Sequence, residues 1–242
     1  MSKAPKAFAK SADKFKKDKS GKPNSSKAKP NRTPHFYGIH AVTALLKHRP
    51  QDALALFVQL REDGATSQTH DDIMRLAKDV GVSVQMTHKD KLAELCDSHQ
   101  HQGVVVSARA PKLYDESDLV ALCDKADALF LVLDQITDAH NLGACLRSAS
   151  AMGVDAVIIP KHQSVSITPT VAKVSVGAAV VIPLVAVTNL ARSLDVLKKS
   201  GVFVFGTALD ETAKPLYDCD FSGNVAIIMG SEGDGMRRLT RE

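Results

Sequence analysis

From Ala128 onward, short apolar runs recur at regular intervals: Leu129–Leu133, Ala156–Ile159, Val181–Leu184, Val202–Phe205 and Val225–Met229. Runs of this length, bounded by turn residues and without polar interruptions, predict strands buried on both faces. Helical segments are predicted between them at Leu142–Met152, Pro169–Gly177 and Asn189–Lys199. Strands alternating with helices of this size predict an α/β fold, a Rossmann-like parallel sheet covered on both sides.

The upstream half has a smaller version of the same pattern. Helices are predicted at Ala41–Lys47, Gln68–Asp79 and Lys89–Cys96, with strands at Leu54–Leu60, Val82–Gln85 and Gly103–Ala108. Residues 35–110 therefore read as a small α/β domain and residues 128–242 as the main one. Residues 111–127 hold a linker and a first helix, because Pro111 to Ser117 is polar and carries a proline. Residues 1–34 have almost no large apolar side chains and cannot offset the entropy of ordering, so a disordered tail is expected.

Charge sharpens that division. The tail holds eleven Lys and Arg against Asp13 and Asp18, while the whole chain carries only +4, so the folded part is net acidic. Such a tail reads either as an electrostatic arm for nucleic-acid phosphates or as a solubilising extension. The four cysteines are widely spaced, with no C-x-x-C pair, which argues against a disulfide framework and a zinc site; no metal ligands are assigned. No apolar run approaches the length of a membrane span and no secretory signal is legible, so a cytoplasmic protein without membrane partners is expected.

Two segments carry candidate chemistry. Asn141-Leu142-Gly143-Ala144-Cys145-Leu146-Arg147-Ser148-Ala149 follows the strand ending at Leu133, and Gly230-Ser231-Glu232-Gly233-Asp234-Gly235-Met236 follows the strand ending at Met229. Both lie past the carboxyl ends of strands, where open α/β sheets place their ligands. Asn141 is suited to capping the helix that it opens, and the close-set glycines let backbone approach a ligand without a Cβ in the way. A nicotinamide-dependent oxidoreductase is disfavoured: the segment Asp134–Asn141 after the first main strand lacks the G-x-G-x-x-G turn that such an enzyme needs.

These two blocks, in this order, resemble the first two signature motifs of the SpoU (TrmH) family of RNA ribose 2′-O-methyltransferases. Similar stretches lie at Val157–Lys161, Lys173–Ala179, Val187–Arg192, Gly206–Ala208 and Arg237–Glu242. The segments Tyr37–Val42 and His101-Gln102-Gly103 resemble the RNA-binding domain of the branch that modifies a guanosine of 23S rRNA. The resemblance implies a trefoil-knotted (SPOUT) domain, S-adenosyl-L-methionine as methyl donor, 23S rRNA or a ribosomal precursor as partner, and a homodimer. It implies a catalytic centre at Asn141, Arg147 and Glu232, with cofactor binding at Thr207, Ala208, Gly230 and Gly235.

The arginine of this motif is credited in the family with accepting the 2′-hydroxyl proton. A guanidinium stays protonated in proteins, so a phosphate clamp that polarises the hydroxyl is the preferred role for Arg147, with the base unassigned. Tyr37, His40, His101 and Lys161 stay open between structural and RNA-contacting roles, and Asn189 and Arg192 read as helix start and surface. The family's third motif, an Ile-Pro-Met segment followed by Ser-Leu-Asn-Val, is not found before Glu242. The expectation is therefore a C-terminally truncated domain with an incomplete knot. The alternative is a non-catalytic rRNA-binding fragment, or a paralogue lacking a complete cofactor site.

Overall fold

In the computed structural model, which describes residues 33–60, 66–162, 167–208, 213–231 and 235–241, the apolar runs assemble into two sheets within one unit spanning 33–242. The first contains β1 (His35–Tyr37), β2 (Ala53–Gln59), β3 (Ser83–Thr87) and β4 (Val104–Ala108), in the order β1-β4-β2-β3. β4 runs antiparallel to both neighbours, and β2 and β3 are parallel. Helices α1 (Ile39–His48), α2 (Gln68–Asp79) and α3 (Lys89–Cys96) pack around it, and the last two keep the bounds that their periodicity predicts.

The second sheet is wholly parallel. It contains β5 (Leu113–Tyr114), β6 (Leu129–Leu133), β7 (Ala156–Pro160), β8 (Leu184–Val187), β9 (Phe203–Gly206) and β10 (Val225–Met229), in the order β5-β8-β7-β6-β10-β9. Its helices are α4 (Leu119–Cys123), α5 (Ala139–Ala151), α6 (Pro169–Val174) and α7 (Leu190–Lys199). Successive side chains of a strand point to opposite faces, and the burial follows that rule. Phe130, Val132, Ile158, Val185, Ala226 and Ile228 meet Leu119, Leu190, Leu194 and Leu197 of α4 and α7. Leu133, Val157, Ile159 and Leu184 meet Leu142 and Leu146 of α5. That second apolar cluster continues through Val171 to Val180 into Val42, Leu45 and Leu46 of α1, so the two sheets share a core.

Three expectations need correction, and a fourth falls mostly outside the described residues. The strand expected at Val181–Leu184 lies at Leu184–Val187, because Ala178–Val180 forms a 3-10 turn ahead of it and Pro183 has no N–H to give a ladder. The expected linker contains β5, whose Leu113 and Tyr114 pair with Leu184 and Val185. Helix α6 stops at Val174 rather than Gly177, because Val176 and Gly177 both take left-handed backbone conformations. The tail expected to be disordered lies outside the described residues up to Arg32, but Pro34 already belongs to the fold, its carbonyl accepting from the Ala108 N–H. Among the described residues, no helix is long and apolar enough to cross a membrane.

His101 has a structural role in this frame. It is buried, and its Nδ1 accepts a hydrogen bond from the Gly103 N–H at 3.0 Å. Burial pushes its pKa below the ordinary histidine value, helped by Lys89, His99 and Lys173 nearby. The unfolded chain takes up a proton at this ring as pH falls below about 6.5, whereas the folded chain resists it, so folding stability should decline with falling pH from there downward. Urea midpoints measured from pH 7.5 to 5.5 should fall less steeply in His101→Gln than in wild type. Equal slopes would remove His101 as the cause.

Candidate active site

Three neighbouring strands deliver the candidate residues to one end of the parallel sheet. β6 ends at Leu133 and passes to Asp134, β10 ends at Met229 and passes to Gly230, and β9 ends at Gly206 and passes to Thr207. The exits are stitched together: the Asp134 N–H donates to the Met229 carbonyl at 2.8 Å, and the Thr207 N–H and Oγ1 both donate to the Ile228 carbonyl at 3.0 Å. After Gly230 the chain loops and returns, with Ser231 and Gly235 exchanging backbone hydrogen bonds at 3.0 Å. A Cβ on Gly230 would lie 2.1 Å from the Gly235 carbonyl carbon and 2.3 Å from the Met236 nitrogen. Glycine is required here because the returning chain crosses directly over it.

A buried ion pair locks the returning chain. Asp134, whose side chain is fully buried, accepts from the Arg237 backbone N–H at 2.9 Å and from its Nε at 2.7 Å, with Nη2 also 2.7 Å away. Both carboxylate oxygens are thus engaged. Sequence reasoning missed this pair. An Asp placed directly after an all-apolar strand is the available signal, but it does not name a partner a hundred residues away.

Two cavities flank the exit of β10. The first, about 510 Å3, is lined by Asp134, Thr137, Asn141, Cys145, Met229 and Gly230 among others. The second, about 600 Å3, is lined by Phe205, Thr207, Ala208, Phe221, Met236 and Lys198 among others. The candidate residues therefore separate into two groups, with Asn141 and Gly230 on one side and Thr207 and Ala208 on the other. Gly235, in a left-handed conformation, belongs to the returning chain between them. Glu232 lies outside the described residues.

Asn141 does not cap α5. Asp138 does, its Oδ1 accepting from the His140 and Asn141 N–H groups at 2.8 and 2.9 Å. The helix starts two residues before Asn141, and the amide side chain is exposed at the mouth of the first cavity. The amino end of this thirteen-residue helix carries the positive pole of its dipole, which favours an anionic group nearby. Gly143 lies against α6, where an added Cβ would sit 2.7 Å from the Val174 side chain, so its close approach is to a helix. Arg147 is exposed, lines neither cavity, and makes no hydrogen bond or ion pair among the described residues. At 3.6 residues per turn it sits about 120° around α5 from Asn141, off the face that lines the first cavity.

A parallel sheet with cavities opening at the carboxyl ends of adjoining strands is an α/β architecture of the Rossmann-like class. Residues 128–242 match the SpoU rRNA Methylase family, and residues 36–114 match the RNA 2′-O ribose methyltransferase substrate-binding domain. The chain belongs to the SpoU rRNA methylase family.

The chain is 48% identical over 209 residues to the 23S rRNA (guanosine-2′-O-)-methyltransferase RlmB of Shewanella oneidensis, spanning 86% of this chain and 83% of that one. It is 46% identical to RlmB of Acinetobacter baylyi over the same shares. The fold is like that of the SpoU methyltransferase AviRb from Streptomyces viridochromogenes in complex with AdoMet, with a TM-score of 0.67 and 22% identity over 86% of this chain and 76% of that one. An rRNA methyltransferase from Sinorhizobium meliloti gives a TM-score of 0.66 at 19% identity over the same shares.

Proposed function

We propose that the protein transfers a methyl group from S-adenosylmethionine to the 2′-oxygen of a guanosine ribose in 23S rRNA, acting as a cytoplasmic homodimer. The observation that carries this reading is the convergence of the Asn141 turn, the Gly230 loop and Thr207–Ala208 around one strand exit, in a chain this close to enzymes of that name.

The residues present suit the cofactor. Phe205, Phe221 and Met236 give the second cavity apolar walls for a purine, and a Cβ on Gly206 would press 2.8 Å from the Met236 methyl. Thr207 and Ala208 would hold it there, while Gly230 and Gly235 let the returning chain that carries Met236 pass close over the strand exit. Bound in this way, the cofactor supplies an electrophilic methyl group on a sulfonium. The chain's own contribution is to position and polarise. Arg147 offers a rigid fork of donors to a phosphate beside the target ribose, and its place outside both cavities suits a partner as large as RNA. Asn141 orients the ribose at the mouth of the first cavity, and Glu232 orients a polar partner of the substrate. Holding two reactants in line accounts for a large share of such a barrier.

The test is to incubate the protein with labelled S-adenosylmethionine and 23S rRNA from cells lacking the modification, then map the label by nuclease digestion and mass spectrometry. Label on one guanosine ribose is expected. RNA binding without any label would favour a non-catalytic RNA-binding protein, and label on a base would overturn the reaction assigned.

A further inference from the structure

The geometry points to Lys173 as a positioning residue: it locks the small sheet, with whatever RNA that half holds, in one orientation against the helix bearing Asn141 and Arg147. This rests on the methyltransferase reading above. Lys173 lies in the last turn of α6, yet its ammonium reaches into the small half and donates to the Gln100 backbone carbonyl at 2.6 Å and to Gln100 Oε1 at 3.1 Å. It also stands 5.1 Å from the centre of the Tyr37 ring on β1. The loop that it grips is itself braced from the small half. Gln102 Oε1 accepts from the Ile39 N–H at 3.1 Å, and the Gln102 carbonyl lies 3.0 Å from His70 Nε2.

The chain just after Lys173 bears on both halves. Val174 packs against Gly143 of α5 so closely that no side chain fits there. At Gly177, an added Cβ would meet the Ala44 methyl at 2.4 Å and the His40 carbonyl at 3.1 Å, both on α1. Between them the buried Ser175 ties the turn, its Oγ donating to the Ala172 carbonyl and accepting from the Ala179 N–H. One short stretch thus touches the loop at Gln100, the first helix of the small half, and the helix that carries the candidate catalytic side chains.

The apolar contacts at Gly143 and Gly177 fix how near the halves lie, and the shared core holds them together. Such interlocked packing resists displacement by shape, and a hydrogen-bonded cation adds a directional constraint at one point of the seam. An ammonium with two oxygen partners is directional and strengthened by its charge. Lys173 is placed to set the angle rather than the attachment. Tyr37, and the His101-Gln102-Gly103 turn that follows Gln100, then work as the receiving face of this lock.

The test compares wild type with Lys173→Met, which keeps the stem packing and removes the donors, and with Lys173→Arg, which keeps a donor. Two readouts are needed. Amide exchange at Ile39 and at residues 100–104 should be at least tenfold faster in Lys173→Met, with β6 and β7 unchanged, and should return toward wild type in Lys173→Arg. In single-turnover methylation, Lys173→Met should raise the half-saturating RNA concentration about tenfold while the rate at saturating RNA stays within twofold. Unchanged exchange would show that Lys173 locks nothing. Faster exchange with unchanged RNA dependence, or a fall in the saturating rate alone, would overturn the positioning role. If wild type shows no methylation, the reaction assigned has failed, and the exchange readout still decides whether the lock exists.

Discussion

Arg147→Ala should leave the fold intact and slow methyl transfer by roughly 10²–10³-fold, the loss expected when one well-placed electrostatic donor is removed. Arg147 is exposed and has no protein partner among the described residues. Surface substitutions of that kind change stability by about 0.5 kcal/mol or less, so a rate loss in this variant cannot come from damage to the core. Lys is an informative control: it keeps the charge but loses the planar fork, and should recover only part of the rate. Single-turnover rates, thermal midpoints and RNA affinity for the three proteins would separate the possibilities. A wild-type rate in Arg147→Ala would remove this residue from the reaction. A rate that falls only in step with RNA affinity would make it a binding residue.

Arg237→Ala should destabilise the protein more than Asp134→Ala does, although the two residues form one pair. Removing one member of a buried ion pair costs about 3–5 kcal/mol because a charge is left without compensation. The two members are not equally placed, however. The Asp134 side chain has no exposure, whereas that of Arg237 is 37% exposed. Loss of Asp134 frees a guanidinium that can turn to water, which puts that variant near the lower end of the range. Loss of the Arg237 side chain leaves a sealed carboxylate with a single backbone donor, which puts that variant near the upper end. The double variant should be more stable than the sum of the two losses implies. Urea unfolding of the three variants decides this, and equal or strictly additive losses would mean that the pair does not hold the returning chain.

What was legible in the sequence followed from periodicity and local chemistry. Helices α2 and α3 keep their predicted bounds because each shows a clean polar-to-apolar pattern between loops, and β6 and β10 do so because turn residues frame each apolar run. From Ala178 to Val187 the chain has no polar side chain, so periodicity cannot say where a strand begins inside it. β5 escaped notice because two residues of strand inside a polar segment have no period at all. At the site, the two motif blocks located the strand exits correctly. The cap at Asp138 was misassigned to Asn141 because both residue types cap helices and stand three positions apart. The Asp134–Arg237 pair was beyond reach, since it depends on which strands become neighbours.

The position of β10 bears on the order in which the sheet can be made. β10 comes after every other strand described, yet it stands between β6 and β9, and β9 pairs with nothing else. As the chain leaves the ribosome, β6 therefore waits with one side unpaired while about ninety further residues are synthesised, and β9 waits with no partner. Open strand edges of this kind recruit other chains, and pairings this distant in sequence form slowly. The exposed interval ends only when the segment bearing Gly230 arrives, so the step that builds the candidate cleft is the same step that seals the sheet against aggregation.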